Sequence, residues 1–355
     1  MVNQNKQLTN AIDLLKKLIA TPSISKEEDV TASIIADYLV NNGISVQRHL
    51  NNIWCVNHEY DAEKPTILLN SHHDTVKPNR SYTRDPHEPS IEDGKMFGLG
   101  SNDAGGPLVS LIETFMHFYN QKDLKYNLVL AATGDEETSG ETGIVSILDK
   151  LPPLDMAIVG EPTSLDMAVA EKGLMVLDCV AHGKSGHAAR DEGENAIFNA
   201  IKDIEWFNTY KYDKLSISLG PIKMTTTLIE AGTQHNVVPD HCNFVVDVRT
   251  TDVYSNEETL EIIKQNVQSD VKARTTRLNP SGVDDNHVLV QAGKSLGLKT
   301  YGSPTLSDQA HMDFPSIKLG PGDSARSHTA NEYIYIEQIE KGIETYINLL
   351  TQILK

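Results

Sequence analysis

At 355 residues the chain is longer than one hydrophobic core ordinarily fills, so two domains are expected. Hydrophobic residues make up 39% and charged residues 23%, a balance that excludes wholesale disorder. The formal net charge of -18, from 31 basic and 49 acidic residues, argues against nucleic acid or an anionic membrane as partner, because both recruit basic surfaces.

The chain opens with apolar residues at helical spacing, Ala11, Ile12, Leu14, Leu15, Leu18 and Ile19, which predict an amphipathic helix over 9–20. Asp13, Lys16 and Lys17 interrupt what would be the apolar centre of a secretion signal. No run reaches the roughly 18 apolar residues of a membrane-spanning helix. A second helix is expected near Ser25, where Ser25 and Glu28 have capping-box spacing. Strands are predicted at 45–50, 53–58 and 66–70, a helix at 105–119, a strand at 127–133, a short helix at 142–148 and a strand at 156–159. Alternation of this kind implies an α/β sandwich with a mixed, mostly parallel sheet between helices.

From about Lys172 the pattern changes. Strands at 173–182, 222–230 and 243–250 and helices at 193–209 and 255–268 suit a small α+β domain with an open sheet. A helix at 285–296, an apolar run at 316–319 and a C-terminal helix at 336–354 return to the first pattern. The expected organisation is therefore a first domain of residues 1–172 and 284–355 with residues 173–283 inserted. Cys55, Cys179 and Cys242 are odd in number and far apart, which predicts free buried thiols and a reducing, cytoplasmic location.

Five segments carry polar chemistry at strand ends or glycine-rich turns, where open α/β sheets bind ligands. His72 and Asp74 follow the apolar run Ile67-Leu68-Leu69 at a spacing that lets a carboxylate orient an imidazole, although a plain surface strand end would look the same. Asp103 stands among Gly98, Gly100, Gly105 and Gly106, where a helix cap is the alternative reading. Glu136-Glu137 emerge from the strand ending at Thr133, and adjacent carboxylates there can divide metal binding from proton transfer. Glu161 closes the run Ala157-Ile158-Val159-Gly160, and His328 follows the turn Gly320-Pro321-Gly322. Histidines with carboxylates and no cysteine form the donor set of paired zinc, cobalt or manganese ions.

In order and spacing these segments resemble the M20 family of co-catalytic metallohydrolases over nearly the whole chain. The resemblance implies a metal-dependent aminopeptidase-like catalytic domain carrying an inserted lid and dimerisation domain. It implies two divalent ions, zinc first and cobalt or manganese as alternatives. His72 and Glu161 would hold one, Glu137 and His328 the other, and Asp103 would bridge them. Asp74 would orient His72, and Glu136 would be the general acid/base. Within Gly183-Lys184-Ser185-Gly186-His187-Ala188, His187 resembles a histidine that reaches a partner subunit's active site as oxyanion donor, which implies a homodimer. Asn236 and Arg249 match segments that hold a substrate carboxylate.

The family commonly has glycine at Ser71, and lysine and glycine at Gly105 and Pro107. Residues 305–308 match its G-T-S-D turn loosely, and His73, His311 and Cys55 are read as structural. The expected reaction is hydrolysis of a small-molecule N-acyl amino acid: N-acetylornithine, N-acetylcitrulline, N-succinylornithine or N-succinylcitrulline, in arginine biosynthesis. Succinyl-diaminopimelate desuccinylase or dipeptidase activity is the enzymatic alternative. A non-catalytic, metal-stabilised amino-acid-binding protein is the alternative of another class.

Overall fold

A computed structural model describes residues 2–355, with side chains from Asn5 onward. The chain divides into two compact units, residues 1–169, 283–301 and 307–355 in the first and residues 170–282 and 302–306 in the second. No helix among the described residues is long and apolar enough to cross a membrane.

The first unit is built on a sheet whose strands run in the order Gln47–His49, Asn52–Val56, Asn127–Thr133, Thr66–His72, Met156–Val159, Ser316–Lys318 and Met167–Glu171. Its four central members, from Asn127–Thr133 to Ser316–Lys318, are parallel, and antiparallel strands flank them. The strands Thr66–His72 and Asn127–Thr133 are buried along their whole length. Apolar residues point to both faces because both faces are covered. Ile67, Leu69, Leu128 and Leu130 join the core shared with helices Val2–Ile19, Gly106–Phe118 and Ile336–Leu354. Leu68, Val129 and Ala131 turn the other way, towards Ile144, Ile147 and Leu151. The C-terminal helix reaches that core through Ile339, Ile343, Tyr346, Leu350 and Ile353, spaced by three and four residues.

Asn70 pairs with Ala131 on one side and Val159 on the other, and His72 pairs with Thr133. Three parallel strands therefore end at one edge, and the polar residues after each of them are delivered together.

The second unit has a four-stranded antiparallel sheet in the order Lys223–Ala231, His241–Thr250, Gly173–His182, Asp270–Ala273. Met175, Leu177, Cys179 and Ala181 alternate with less buried residues and join Ala196, Ala200, Phe207 and Ile263 from helices Ala196–Thr209 and Asn256–Asn266 in one core. Alternation marks a sheet covered on one face. Ser255 and Glu258 close a capping box on the second helix. All three cysteines are free and buried.

Several local expectations are corrected. Ser25 caps no helix: the helix starts at Asp29, and the Ser25 hydroxyl donates to Asp74 Oδ2 at 2.7 Å. Glu28 instead accepts from the backbone N–H of Lys26 and Asp135 and from the Asn51 amide, so the capping-box pattern was diverted to long-range bonds. Residues 142–148 contain only a 3₁₀ turn at Ile144–Ser146, where the Thr142 N–H and hydroxyl both donate to Asp135. The strand Met167–Glu171 lies just before the position at which the sequence pattern changed and was not predicted.

Candidate metal centre

His72 occupies the last position of its strand and is buried. Its Nδ1 lies 3.1 Å from the Asp74 carbonyl oxygen and 3.3 Å from Asp74 Oδ1. A carbonyl oxygen only accepts, so Nδ1 carries the proton and the Nε2 lone pair is left for another partner. That Nε2 is buried without a hydrogen bond, with Asp103 Oδ1 at 3.4 Å and Glu136 Oε2 and Glu161 Oε1 each at 3.8 Å. Ligands on a tetrahedral ion with bonds of about 2.0–2.1 Å stand about 3.3 Å apart, so this spacing fits a shared cation.

The same carboxylate reaches the second histidine. His328 Nε2 is 3.7 Å from Asp103 Oδ2 and 2.9 Å from Glu137 Oε2. Asp103 thus offers one oxygen towards His72 and the other towards His328. Donor atoms of His72, Asp103 and Glu137 form one group within 4.8 Å, and those of His72, Glu136 and Glu161 another. The predicted ligands His72, Asp103, Glu137, Glu161 and His328 and the predicted base Glu136 are therefore brought together in one unit. Five carboxylates, Asp74 included, converge on two imidazoles, an excess of buried negative charge that calls for cations.

The electrostatics follow from this crowding. Burial alone would lower the His72 imidazole, but Glu136, Asp103, Asp74 and Glu161 together hold it well above its ordinary value. Glu136 is driven well above the usual carboxylate range by burial and by Glu161, Asp308 and Glu137, against the opposing pull of His72. The hydrogen bond to Glu137 raises His328 to about 9. Asp74 is held low despite its burial, by His72 and Ser25 and by backbone donation from Glu137. Its two oxygens also accept from the N–H groups of Glu136, at 3.2 Å, and Glu137, at 3.1 Å. It therefore positions the glutamate pair as well as the histidine.

Two supports were invisible as roles in the sequence. Glu332 is buried and accepts backbone N–H bonds from Gly100 at 3.1 Å, Asn102 at 2.7 Å and Asp103 at 2.9 Å. One side chain thus fixes the whole loop that presents Asp103. Asp308 accepts from Asn70 at 2.8 Å and Thr133 at 2.9 Å and adds negative potential at Glu136. The only hint of Glu332 was its place four residues after His328, and of Asp308 the loosely matching 305–308 segment.

The departures are also accommodated. The Ser71 hydroxyl donates to the Gly160 carbonyl at 2.7 Å, tying adjacent strand ends together. At Gly105 an added Cβ would lie 2.4 Å from the Gly100 carbonyl oxygen, so no lysine fits this backbone. His73 is held by Thr31 and the Asn51 carbonyl, each at 2.9 Å.

Substituting Glu332 by Ala is expected to leave the fold intact but free the Asp103 loop. Loss of three buried backbone hydrogen bonds at a ligand-bearing loop should weaken metal affinity about 10- to 100-fold. Competition with a chromogenic chelator measures this directly, and unchanged affinity would remove Glu332 from the positioning role.

In the second unit His187 is exposed, and its strand pairs His187 with Val237. Ala188 N–H donates to the Asn236 carbonyl at 3.0 Å, so the predicted His187 and Asn236 are neighbours. Arg249 is engaged with Asp247, Nε to Oδ1 at 2.8 Å and Nη2 to Oδ2 at 3.1 Å.

The sequence pattern of peptidase family M20/M25/M40 matches residues 68–352. A [LysW]-lysine/[LysW]-ornithine hydrolase of Sulfurisphaera tokodaii is 29% identical over 352 residues, covering 94% of this chain and 92% of that protein. A succinyl-diaminopimelate desuccinylase of Corynebacterium glutamicum is 26% identical over 362 residues, covering 94% and 96%. Among solved structures, a tripeptidase of Staphylococcus aureus superposes with a TM-score of 0.78 at 20% identity, covering 98% of each chain. A dinuclear metal-binding M20 peptidase of Bacillus subtilis superposes with a TM-score of 0.76 at 16% identity, covering 99% of each.

Proposed function

This chain belongs to peptidase family M20/M25/M40, and on that footing we propose that it hydrolyses the amide bond of an N-acyl amino acid with two divalent metal ions, zinc first. The observation that carries this reading is Asp103 standing between His72 and His328 with Glu136 beside it. His72 and Glu161 would hold one ion, Glu137 and His328 the other, with Asp103 shared. When bound, the pair would acidify a water and polarise the amide carbonyl.

The chain's own residues do the rest. Asp74 keeps the proton of His72 on Nδ1 and fixes the backbone of Glu136 and Glu137. Glu136 takes a proton from the attacking water and returns it to the departing nitrogen. His187 stabilises the oxyanion from a partner subunit, and Asn236 and Arg249 hold the substrate carboxylate, for which Arg249 must turn from Asp247. A homodimer is supported by the second unit's surface. Its edge strand Lys223–Ala231 exposes Leu228 and Ile229, and the helix Ala196–Thr209 exposes Phe198 at its start. Such an edge tends to pair with another chain.

For substrate we propose an N-acylated ornithine or citrulline of arginine biosynthesis, acetylated or succinylated. One relative is named for an ornithine adduct and the other for a succinyl amide, which supports this amino-acid class and a small acyl group. The test compares kcat/KM on N-acetylornithine, N-acetylcitrulline, N-succinylornithine, N-succinylcitrulline, N-succinyl-diaminopimelate and a dipeptide. A preference of about tenfold or more for one of the first four is expected, the scale of one or two well-placed contacts. Preference for the fifth or sixth would replace this reading by the desuccinylase or the dipeptidase.

A further inference from the structure

The second unit holds a feature that the hydrolytic reading does not use. A groove of about 910 Å³ lies among the C-terminal half of helix Ala196–Thr209, residues 210–215 and the start of strand Lys223–Ala231. Lys172, Lys211, Lys214 and Lys223 line it, against the single carboxylate of Glu205. None of the four lysines is ion-paired among the described residues. In a chain of net charge -18 four lysines against one carboxylate is a local excess of positive charge, and Lys172 and Lys223 lie close enough to repel. Lys172 registers the result, lowered from its ordinary value by burial and by Lys223 and Arg249.

The walls are braced and carry the rings of Tyr210 and Tyr212. Tyr210 stacks on Trp206 with ring centres 4.5 Å apart, and the Tyr212 hydroxyl donates to Met224 Sδ at 3.6 Å. Lys214 Nζ lies 4.9 Å from the centre of the Tyr254 ring, and Lys172 Nζ donates to the Pro221 carbonyl at 2.6 Å. Volumes of about 300–1,000 Å³ suit small-molecule ligands, and a cleft of one charge sign focuses its field on counter-ions.

We propose that this groove is a binding site for a small aromatic anion, a carboxylate or phosphate met by the lysines with its ring against Tyr210 and Tyr212. Relief of lysine–lysine repulsion and stacking on the aromatic wall supply the affinity. The site is separate from the metal ligands, all of which belong to the first unit, so it stands or falls independently of the hydrolytic reading.

Trp206 reports on it. The chain has two tryptophans, so a Trp54→Phe background leaves Trp206 as the only emitter beside the groove. The metal-loaded protein is titrated with phenylphosphate, benzoate, inorganic phosphate and neutral phenol. Saturable quenching by phenylphosphate or benzoate, stronger than by phenol, is expected, and whichever anion binds tighter identifies the phosphate or carboxylate source. The exposed pair Lys211→Gln/Lys214→Gln should weaken it about tenfold or more without unfolding, and Lys172→Gln/Lys223→Gln likewise. Absence of saturable binding, equal binding of phenol, or unchanged affinity in both double variants would overturn the proposal.

Discussion

Glu136→Gln protein is expected to keep its metal and lose hydrolysis by about a thousandfold or more, the scale of a general acid/base whose proton transfers occur twice in one turnover. Gln has the shape of Glu and retains the backbone N–H through which Glu136 is fixed to Asp74 at 3.2 Å. It can neither take a proton nor return one. The remaining groups, Asp103, Glu137, Glu161, His72 and His328, are untouched, so metal content measured by atomic absorption should match the parent chain. Loss confined to kcat would place the role in the transition state rather than in substrate binding. Near-parental turnover would move the base elsewhere, with Glu161 and Glu137 the next carboxylates around His72 and His328.

His187→Ala should cost about a hundredfold or more in kcat, as removal of an oxyanion donor does, again with metal content unchanged. The side chain is exposed, with Nδ1 accepting only from the neighbouring Ala189 N–H at 3.1 Å, so the fold loses little. The stronger consequence is complementation. Chains carrying Glu136→Gln and chains carrying His187→Ala are each inactive, but mixed dimers would hold one site with both residues intact. Equal mixing after subunit exchange should restore roughly a quarter of parental activity, since half of the dimers are mixed and each has one complete site. No recovery in demonstrably mixed dimers would place His187 in its own chain's site or outside catalysis.

The metal-site candidates were legible in the sequence for a topological reason. Residues after buried parallel strands share an edge whenever the strands are in register, so His72, Glu136, Glu137 and Glu161 could be grouped before any coordinates were known. The Asn70–Val159 and His72–Thr133 pairings are that register. Asp103 was marked by its glycines, and His328 by the resemblance to the M20 family.

What the sequence did not disclose is reached across long separations. Ser25 lies 49 positions from Asp74, and Glu332 lies about 230 positions from the loop it fixes. Neither bond has a local signature, and in Ser25 a local one misled: its spacing from Glu28 matches a helix cap, but both side chains found partners elsewhere. The short helix expected at 142–148 is a 3₁₀ turn at Ile144–Ser146, and the Asp135 bonds to Thr142 beside it span seven residues with no signature in the local pattern. Arg249 matched its segment, but the sequence could not tell that Asp247, two residues away on the same strand face, would hold its guanidinium.

A two-metal hydrolytic centre with Asp103 shared would need both ions, and Asp103, for full activity. The most direct measurement titrates metal-stripped protein with zinc while recording bound equivalents and hydrolysis of the best N-acyl amino acid, in the parent chain and in Asp103→Ala. Two equivalents per parent chain, with full activity only at the second, and no more than one in the inactive Asp103→Ala chain, is the predicted result. A parent chain that binds no zinc, reaches full activity with one ion, or keeps both ions without Asp103 would contradict it.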